Sequence, residues 1–287
     1  MTRIVYVNGR YVPYAEAAVH VEDRGFQFAD SIYEVCEVRS GRLVDEARHM
    51  ARLKRSLGEL QIGQPMSIAA LGHVMRQVVK RNRVRDGLVY LQVSRGASPR
   101  EFLFPGPDVP PTVVCLARPA SRTAIDGRAE VGIAVKSMPD IRWQRCDIKT
   151  VMLLPACLAK EAARKEGARE VWFVDADGYV TEGGSSNAWI VDAEGTVITR
   201  QLGLDILPGV TRATLVDTLG EEKVRLIERP FLLNEAYAAR EAFITSATQT
   251  VMPVVRIDGR AIGDGKPGPV VQRLRKKFHQ FAAISSA

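Results

Sequence analysis

The chain has 287 residues, of which 46% are hydrophobic and 25% charged, the balance of a soluble globular protein with material for one large or two ordinary domains. No run approaches the roughly 20 apolar residues of a membrane span, and Met1-Thr2-Arg3-Ile4-Val5-Tyr6 lacks a signal-peptide apolar stretch, so a cytoplasmic protein with no membrane partner is expected. Forty basic against 33 acidic side chains invite a nucleic-acid reading, but the one real cluster, Arg273, Arg275, Lys276 and Lys277, fits a solvated helix face and a weak field for anionic small molecules, with no nucleic-acid partner.

The chain opens with a hairpin: Ile4 to Val7, the Asn8-Gly9 turn pair, then Tyr11-Val12. Ile32 to Val38 alternates Tyr33, Val35 and Glu37 on one side with Glu34 and Cys36 on the other, and ends at Ser40-Gly41. Tyr33 is therefore either a half-buried core tyrosine or a hydroxyl projecting into a cavity. Met50, Leu53, Leu57 and Leu60 recur at helical spacing, as do Ile68, Leu71, Met75, Val78 and Val79, predicting two amphipathic helices. Arg52 falls beside the first stripe, as a surface arginine or as a planar fork able to reach a phosphate.

Leu88 to Ser94 and Thr112 to Ala117 read as strands around a Gly- and Pro-punctuated loop that holds Arg100, Phe102 and Phe104. Residues 119–123 have linker character, which predicts an amino-terminal domain over 1–118 and a carboxy-terminal domain over 124–287. Beyond the linker, Gly132 to Lys136 is a strand, and Pro155 can stand in the first turn of a helix running to Lys165. Glu170 to Val174 with Tyr179-Val180, and Ala188 to Val191 with Thr196 to Thr199, form hairpins. Pro208-Gly209-Val210-Thr211 precedes an apolar helix, where Thr211 is an ordinary cap or part of a phosphate cradle. Ala242 to Thr245 leads into Ser246-Ala247-Thr248, a plain turn or a further set of donors; Val251 to Ile257 and a basic helix from Pro269 to Phe281 close the chain. Cys36, Cys115, Cys146 and Cys157 stand singly with no paired spacing, which indicates buried thiols and neither a metal site nor a disulfide framework.

Two segments carry chemistry. In Asp147-Ile148-Lys149-Thr150-Val151-Met152-Leu153-Leu154 the lysine sits in an apolar run, where its amine is either desolvated and nucleophilic or paired with Asp147. In Val180-Thr181-Glu182-Gly183-Gly184-Ser185-Ser186-Asn187 a carboxylate precedes glycines that let backbone approach a ligand, then hydroxyls and an amide that can donate to an anion. Alone, that segment is a hairpin loop. With Lys149 it makes the pair a pyridoxal phosphate site needs, a lysine for the aldehyde and a carboxylate for the ring nitrogen.

These segments, together with Glu22 to Asp30, Tyr33-Glu34-Val35, Arg95 to Arg100, Asp140 to Lys149, Gly209 to Arg212 and Phe243 to Ser246, run in an order that resembles the fold-type IV pyridoxal phosphate aminotransferases, most of all the D-amino acid transaminases. The resemblance implies a two-domain α+β fold with the cofactor in the interdomain cleft. It implies Lys149 as anchor and acid/base, Glu182 at the ring nitrogen, Leu207 packed on the ring, and Arg52, Ser186, Val210, Thr211 and Thr248 as further cofactor-binding residues. Tyr33 and Arg100 are implied to bind substrate, in a ping-pong exchange between a D-amino acid and 2-oxoglutarate or pyruvate, and the loop after Arg95 implies a homodimer. Where typical D-amino acid transaminases carry a histidine this chain has Phe102, which cannot share in holding a carboxylate; bulkier or less acidic donors are expected. A branched-chain L-amino acid transaminase, an R-selective amine transaminase and an aminodeoxychorismate lyase remain open on the same residues.

Overall fold

The computed structural model describes residues 3–284. The chain divides into two compact units. The first holds residues 3–122, Ile148–Met152 and residues 283–284; the second holds Thr123–Asp147 and Leu153–Ala282.

In the first unit, β1 (Ile4–Val7) and β2 (Arg10–Pro13) pair across Asn8 and Gly9, both at positive φ, as the type I′ turn requires. The short helix α1 (Arg24–Phe28) starts on Asp23, whose carboxylate accepts from the Gly25 N–H. β3 (Ser31–Arg39) turns into β4 (Arg42–Leu43), and α2 (Glu46–Glu59) and α3 (Ile68–Arg81) follow, before β5 (Gly87–Ser94) and β6 (Thr112–Pro119). The six strands are antiparallel in the order β2-β1-β6-β5-β3-β4. The period-two pattern of β3 divides as the sequence predicts: Ile32, Glu34, Cys36 and Val38 are buried, while Tyr33, Val35 and Glu37 are half-buried. α2 packs on β3, and α3 on β1, β5 and β6, their stripes contributing Leu53, Leu57, Leu71, Met75 and Val78.

The second unit begins with α4 (Arg122–Val131), a helix in the region where the sequence predicts a linker and irregular chain; only Ala120 and Ser121 separate it from β6. Ile125 and Ala129 on α4 pack on the core, which is why the segment is helical. β7 (Ile133–Pro139), α5 (Leu154–Lys165, with Pro155 in its first turn), β8 (Glu170–Val174), β9 (Val180–Gly183), β10 (Asn187–Val191) and β11 (Val197–Thr199) come next. They are followed by α6 (Val210–Glu221), β12 (Leu226–Glu228), α7 (Leu233–Tyr237), β13 (Glu241–Ser246), β14 (Thr250–Ile257), β15 (Arg260–Ala261) and α8 (Pro269–Phe281). The sheet runs β12-β11-β10-β13-β14-β7-β8-β9 with β15 on β14, and it is mixed: β7 lies parallel to both β14 and β8. One face buries Trp172, Phe231, Ile244, Met252 and Val254; on the other, Val171 and Phe173 meet Ala156, Ala159 and Ala163 of α5. Small residues on α5 let the helix approach the sheet closely.

Two sequence expectations change. The sequence assigns Lys149 to the carboxy-terminal domain, but its segment pairs with β3 in the first unit: Tyr33 N–H donates to Lys149 O (2.9 Å) and Val151 N–H to Ser31 O (3.1 Å). Of the four cysteines only Cys36 and Cys115 are buried; Cys146 is half-buried and Cys157 is exposed, on an outward turn of α5. The basic cluster of α8 is largely paired within its unit, Arg273 and Lys277 with Glu222 and Arg275 with Asp126. Among the described residues no helix is long and apolar enough to cross a membrane, and no cluster of His, Cys, Asp and Glu could hold a metal.

The loop between β5 and β6 depends on Gly96, at φ +100°, where an added Cβ would lie 2.2 Å from Pro110 O. Gly96→Ala is expected to lower the unfolding free energy by about 1–3 kcal/mol, measured by urea denaturation. Gly106→Ala in the same loop, where a Cβ meets nothing within 4 Å, should be close to neutral.

Candidate functional site

Each unit holds part of the residue set expected at the site, and each is described by itself. In the first unit the extended pairing of residues 148–152 with β3 sets Lys149 beside Tyr33: the Nζ lies 4.2 Å from the centroid of the Tyr33 ring. Asp147, the partner in the alternative reading of this lysine, receives hydrogen bonds from Arg145. Lys149 makes no salt bridge among the described residues, and it is half-buried. The apolar residues after it do not bury it as expected, because Met152, Leu153 and Leu154 are themselves exposed. Tyr33 stacks on Tyr90 (centroids 5.5 Å apart), and the Tyr90 hydroxyl donates to Gln92 Oε1 (2.8 Å). Burial, with Tyr33 adding to it, pushes the Tyr90 hydroxyl well above the usual phenol range, so it stays a donor.

Behind β3, Glu34 is fully buried and accepts from Arg52 Nε (2.7 Å) and Nη2 (2.8 Å) and from His49 Nδ1 (2.7 Å). The fork of Arg52, expected on a phosphate, thus grips a carboxylate on the neighbouring strand. The reason is electrostatic: a guanidinium this deep needs an opposite charge, and Glu34 on β3 lies opposite α2. Burial works to raise the Glu34 carboxyl, but the Arg52 charge and the bonds from Arg52 and His49 outweigh it and bring it down to about 2. Burial also pulls His49 below its ordinary value despite Glu34. Facing an acceptor-only carboxylate, the ring holds a proton on Nδ1.

Arg100 lies exposed, its guanidinium 5.2 Å from the centroid of Phe28 and 5.8 Å from that of Phe102. Its loop is held from below. Arg24 Nη1 donates to Glu101 O (2.6 Å), Arg95 stacks 3.6 Å from the Phe104 centroid, and both arginines bind Asp30.

In the second unit the end of β9 presents Glu182, buried. Its Oε1 accepts from Arg142 Nη1, and its Oε2 accepts from Asn187 Nδ2 (3.1 Å) and from the Leu207 N–H (3.1 Å). Asn187 also donates to Leu207 O (2.9 Å), so Leu207 acts here through its backbone. Gly209 has to be glycine: a Cβ there would lie 2.1 Å from Asn187 Oδ1. This close approach brings Asn187 to the start of α6, where Val210 and Thr211 are buried and the Thr211 hydroxyl has no hydrogen-bond partner among the described residues. Across the sheet Asn187 pairs with Thr245, which leads to the β13–β14 turn where Ser246 Oγ and the exposed Thr248 Oγ1 are 3.3 Å apart. The hydroxyl of Ser186, another expected cofactor ligand, donates inward to Glu170 (3.3 Å). Glu170 is fully buried and also accepts from Lys160 and Ser185, so Ser186 serves the turn.

Sequence reasoning missed Arg142, Asp140, Glu34 and His49. Asp140 and Arg142 are two residues apart, and the Arg142 N–H donates to Asp140 Oδ1 (3.1 Å), but nothing local points to Glu182 as the second partner.

The chain matches the family of class IV amino-transferases over residues 31–257. It is 36% identical to a D-alanine aminotransferase of Staphylococcus haemolyticus over 283 residues, 99% of each chain. It is also 36% identical to one of Bacillus licheniformis over 271 residues, 94% of each. Among solved structures, a branched-chain amino acid aminotransferase from Escherichia coli superposes with a TM-score of 0.85 at 23% identity, covering 97% of this chain and 94% of that one. A PLP-bound hypothetical aminotransferase from Mycobacterium tuberculosis superposes with a TM-score of 0.85 at 19% identity, covering 96% and 97%. At these identities the two structures speak to the fold.

Because Glu34 falls from 4.5 to about 2 on folding, the unfolded chain binds more protons between those values. Its contribution is complete above about pH 4.5 and is lost as pH falls through about 2; the lowered His49 acts in the same direction below pH 6.5. Glu34→Gln strands the Arg52 charge and is expected to cost about 3–5 kcal/mol at pH 7, with a flatter acid limb between pH 4.5 and 2 in denaturation measured against pH.

Proposed function

The chain belongs to the amino-transferase class IV family, and we propose that it is a pyridoxal 5'-phosphate-dependent transaminase exchanging an amino group between a D-amino acid and 2-oxoglutarate or pyruvate by a ping-pong cycle. The observation that carries this reading is the Lys149 amine, held on β3 against an aromatic ring and without a carboxylate partner among the described residues. An amine so placed is available as a nucleophile and a base. The near full-length identity to D-alanine aminotransferases supports the D-amino acid as donor, and the absence of a membrane-crossing helix among the described residues agrees with a cytoplasmic enzyme.

The residues present suit the cofactor. Glu182 is fixed as an acceptor by three donors, which matches a protonated ring nitrogen, and Thr211 at the start of α6 offers a hydroxyl and a helix amino terminus to a phosphate. When bound, pyridoxal phosphate supplies an aldehyde for the amine and a ring that accepts electrons. Lys149 then anchors it and carries the proton to and from the substrate α-carbon. Glu182 holds the charge of the ring nitrogen; Val210 and Thr211, with Thr248, bind the phosphate; Leu207 packs on the ring. Arg52 acts on the phosphate side while paired with Glu34. Tyr33 borders the substrate, and Arg100 binds its carboxylate without the help a histidine at position 102 would bring.

A homodimer completes the proposal. Phe26, Phe102, Leu103 and Phe104 expose between 56% and 77% of their surface on the first unit, and Leu154 and Leu158 are exposed on α5. Such apolar surface is covered in a stable oligomer. A branched-chain L-amino acid transaminase is the second reading, favoured by Phe102 in the carboxylate-binding loop.

Lys149→Ala is expected to abolish transamination with free cofactor added back, measured as single-turnover keto acid formation; substantial turnover would exclude Lys149 as the proton carrier. Titration of the holoenzyme with D-alanine, D-glutamate, L-leucine and R-phenylethylamine should bleach the visible cofactor band with the D-amino acids. Bleaching by L-leucine alone would move the assignment to the second reading.

A further inference from the structure

Arg142 is the one group on Glu182 that carries charge among its three identified donors, and that poses an electrostatic problem. A guanidinium bound to Glu182 alone would neutralise it, leaving little to attract a cation on the ligand side. The structure answers with Asp140, at the end of β7, where its backbone N–H donates to Val174 O (2.8 Å).

The Asp140 carboxylate takes the guanidinium fork side-on: Arg142 Nε donates to Oδ1 (2.9 Å) and Nη2 to Oδ2 (2.7 Å), with the Arg142 backbone N–H also on Oδ1 (3.1 Å). Thr181, next to Glu182 in the chain, donates its hydroxyl to Oδ2 (2.8 Å). Nη1 is the guanidinium nitrogen turned to Glu182, while Nη2 also reaches Asp205 O (3.2 Å) and the guanidinium carbon lies 4.7 Å from the Phe173 centroid. Two carboxylates and one guanidinium sum to a single negative charge in a half-buried place. Burial works against both Asp140 and Arg142, yet the bonds and charges of Asp140 and Glu182 hold Arg142 more basic than usual, and Arg142 and Thr181 hold Asp140 more acidic than usual.

We propose that Asp140 is a positioning residue that takes up the charge of Arg142 and fixes its orientation, so that Glu182 keeps the net negative charge that a protonated cofactor ring nitrogen requires. This rests on the reading that Glu182 answers that nitrogen. Asp140 touches neither cofactor nor substrate in this scheme and acts only through Arg142 and Thr181.

The test is the 15N chemical shift of the ring nitrogen in holoenzyme reconstituted with ring-labelled pyridoxal phosphate. Asp140→Asn is expected to move that resonance towards the unprotonated position and to weaken cofactor binding about tenfold, the equivalent of about one pKa unit. Asp140→Glu, which restores the charge, should return both towards wild type, and Thr181→Val, which removes a hydrogen bond but no charge, should leave the resonance in place. Asp140→Ser gives the same reading if the asparagine variant does not fold. An unchanged resonance in the neutral variants, with Glu182→Gln moving it, overturns the role of Asp140 alone. An unprotonated ring in the wild type, or no response to Glu182→Gln, overturns the reading of Glu182 beneath it. A loss of melting temperature without any change in the resonance identifies Asp140 as structural only.

Discussion

Two backbone hydrogen bonds, Tyr33 N–H to Lys149 O and Val151 N–H to Ser31 O, fix the position on which the chemistry depends. The chain leaves the second unit at Asp147, spends five residues on β3 of the first, and returns at Leu153. Backbone pairing is a firm way to hold a reactive side chain, because the main chain at Lys149 cannot move without breaking bonds on both sides of it. The side chain keeps its own torsional freedom, as the role proposed for Lys149 requires.

The two units handle buried charge in related ways. Glu34 in the first receives Arg52 and His49; Arg142 in the second is shared between Asp140 and Glu182. In each case a planar guanidinium meets a carboxylate through paired bonds, a geometry lysine does not offer. The difference lies in the sum. Glu34 and Arg52 cancel as a pair, and their bonds tie α2 to β3. The Asp140 cluster keeps one negative charge, as suits its proposed place opposite a cation. Similar side chains therefore give a structural lock in one place and a charged receptor in the other, and the count of carboxylates decides which.

Much of the candidate site was legible in local sequence. Lys149 in its apolar run and Glu182 before two glycines announce themselves by residue type and neighbours, and the positive-φ turn at Asn8-Gly9 and the stripes of α2 and α3 follow from short-range periodicity. Arg142 did not, because its neighbours give no sign that residue 182 will be its partner. Ser186 misled for the opposite reason: a hydroxyl in a Gly-Gly-Ser-Ser segment looks available to an anion, while its acceptor is Glu170, one strand away. α4 escaped because a ten-residue helix with weak polarity between its faces is decided by the core that receives Ile125 and Ala129.

What the amino-acid order determined by itself is therefore most of the strands and helices, α4 excepted, the α+β class and the chemical types of the candidate site residues, since periodicity, turn residues and short motifs act over a few residues. Only the tertiary structure decided that Lys149 belongs with β3, that Arg52 binds Glu34, and that Arg142 stands between two carboxylates. A desolvated charge takes whichever counter-charge the packed fold brings within hydrogen-bonding distance, and that partner is separated from it by 18 residues for Glu34 and Arg52 and by 40 for Arg142 and Glu182.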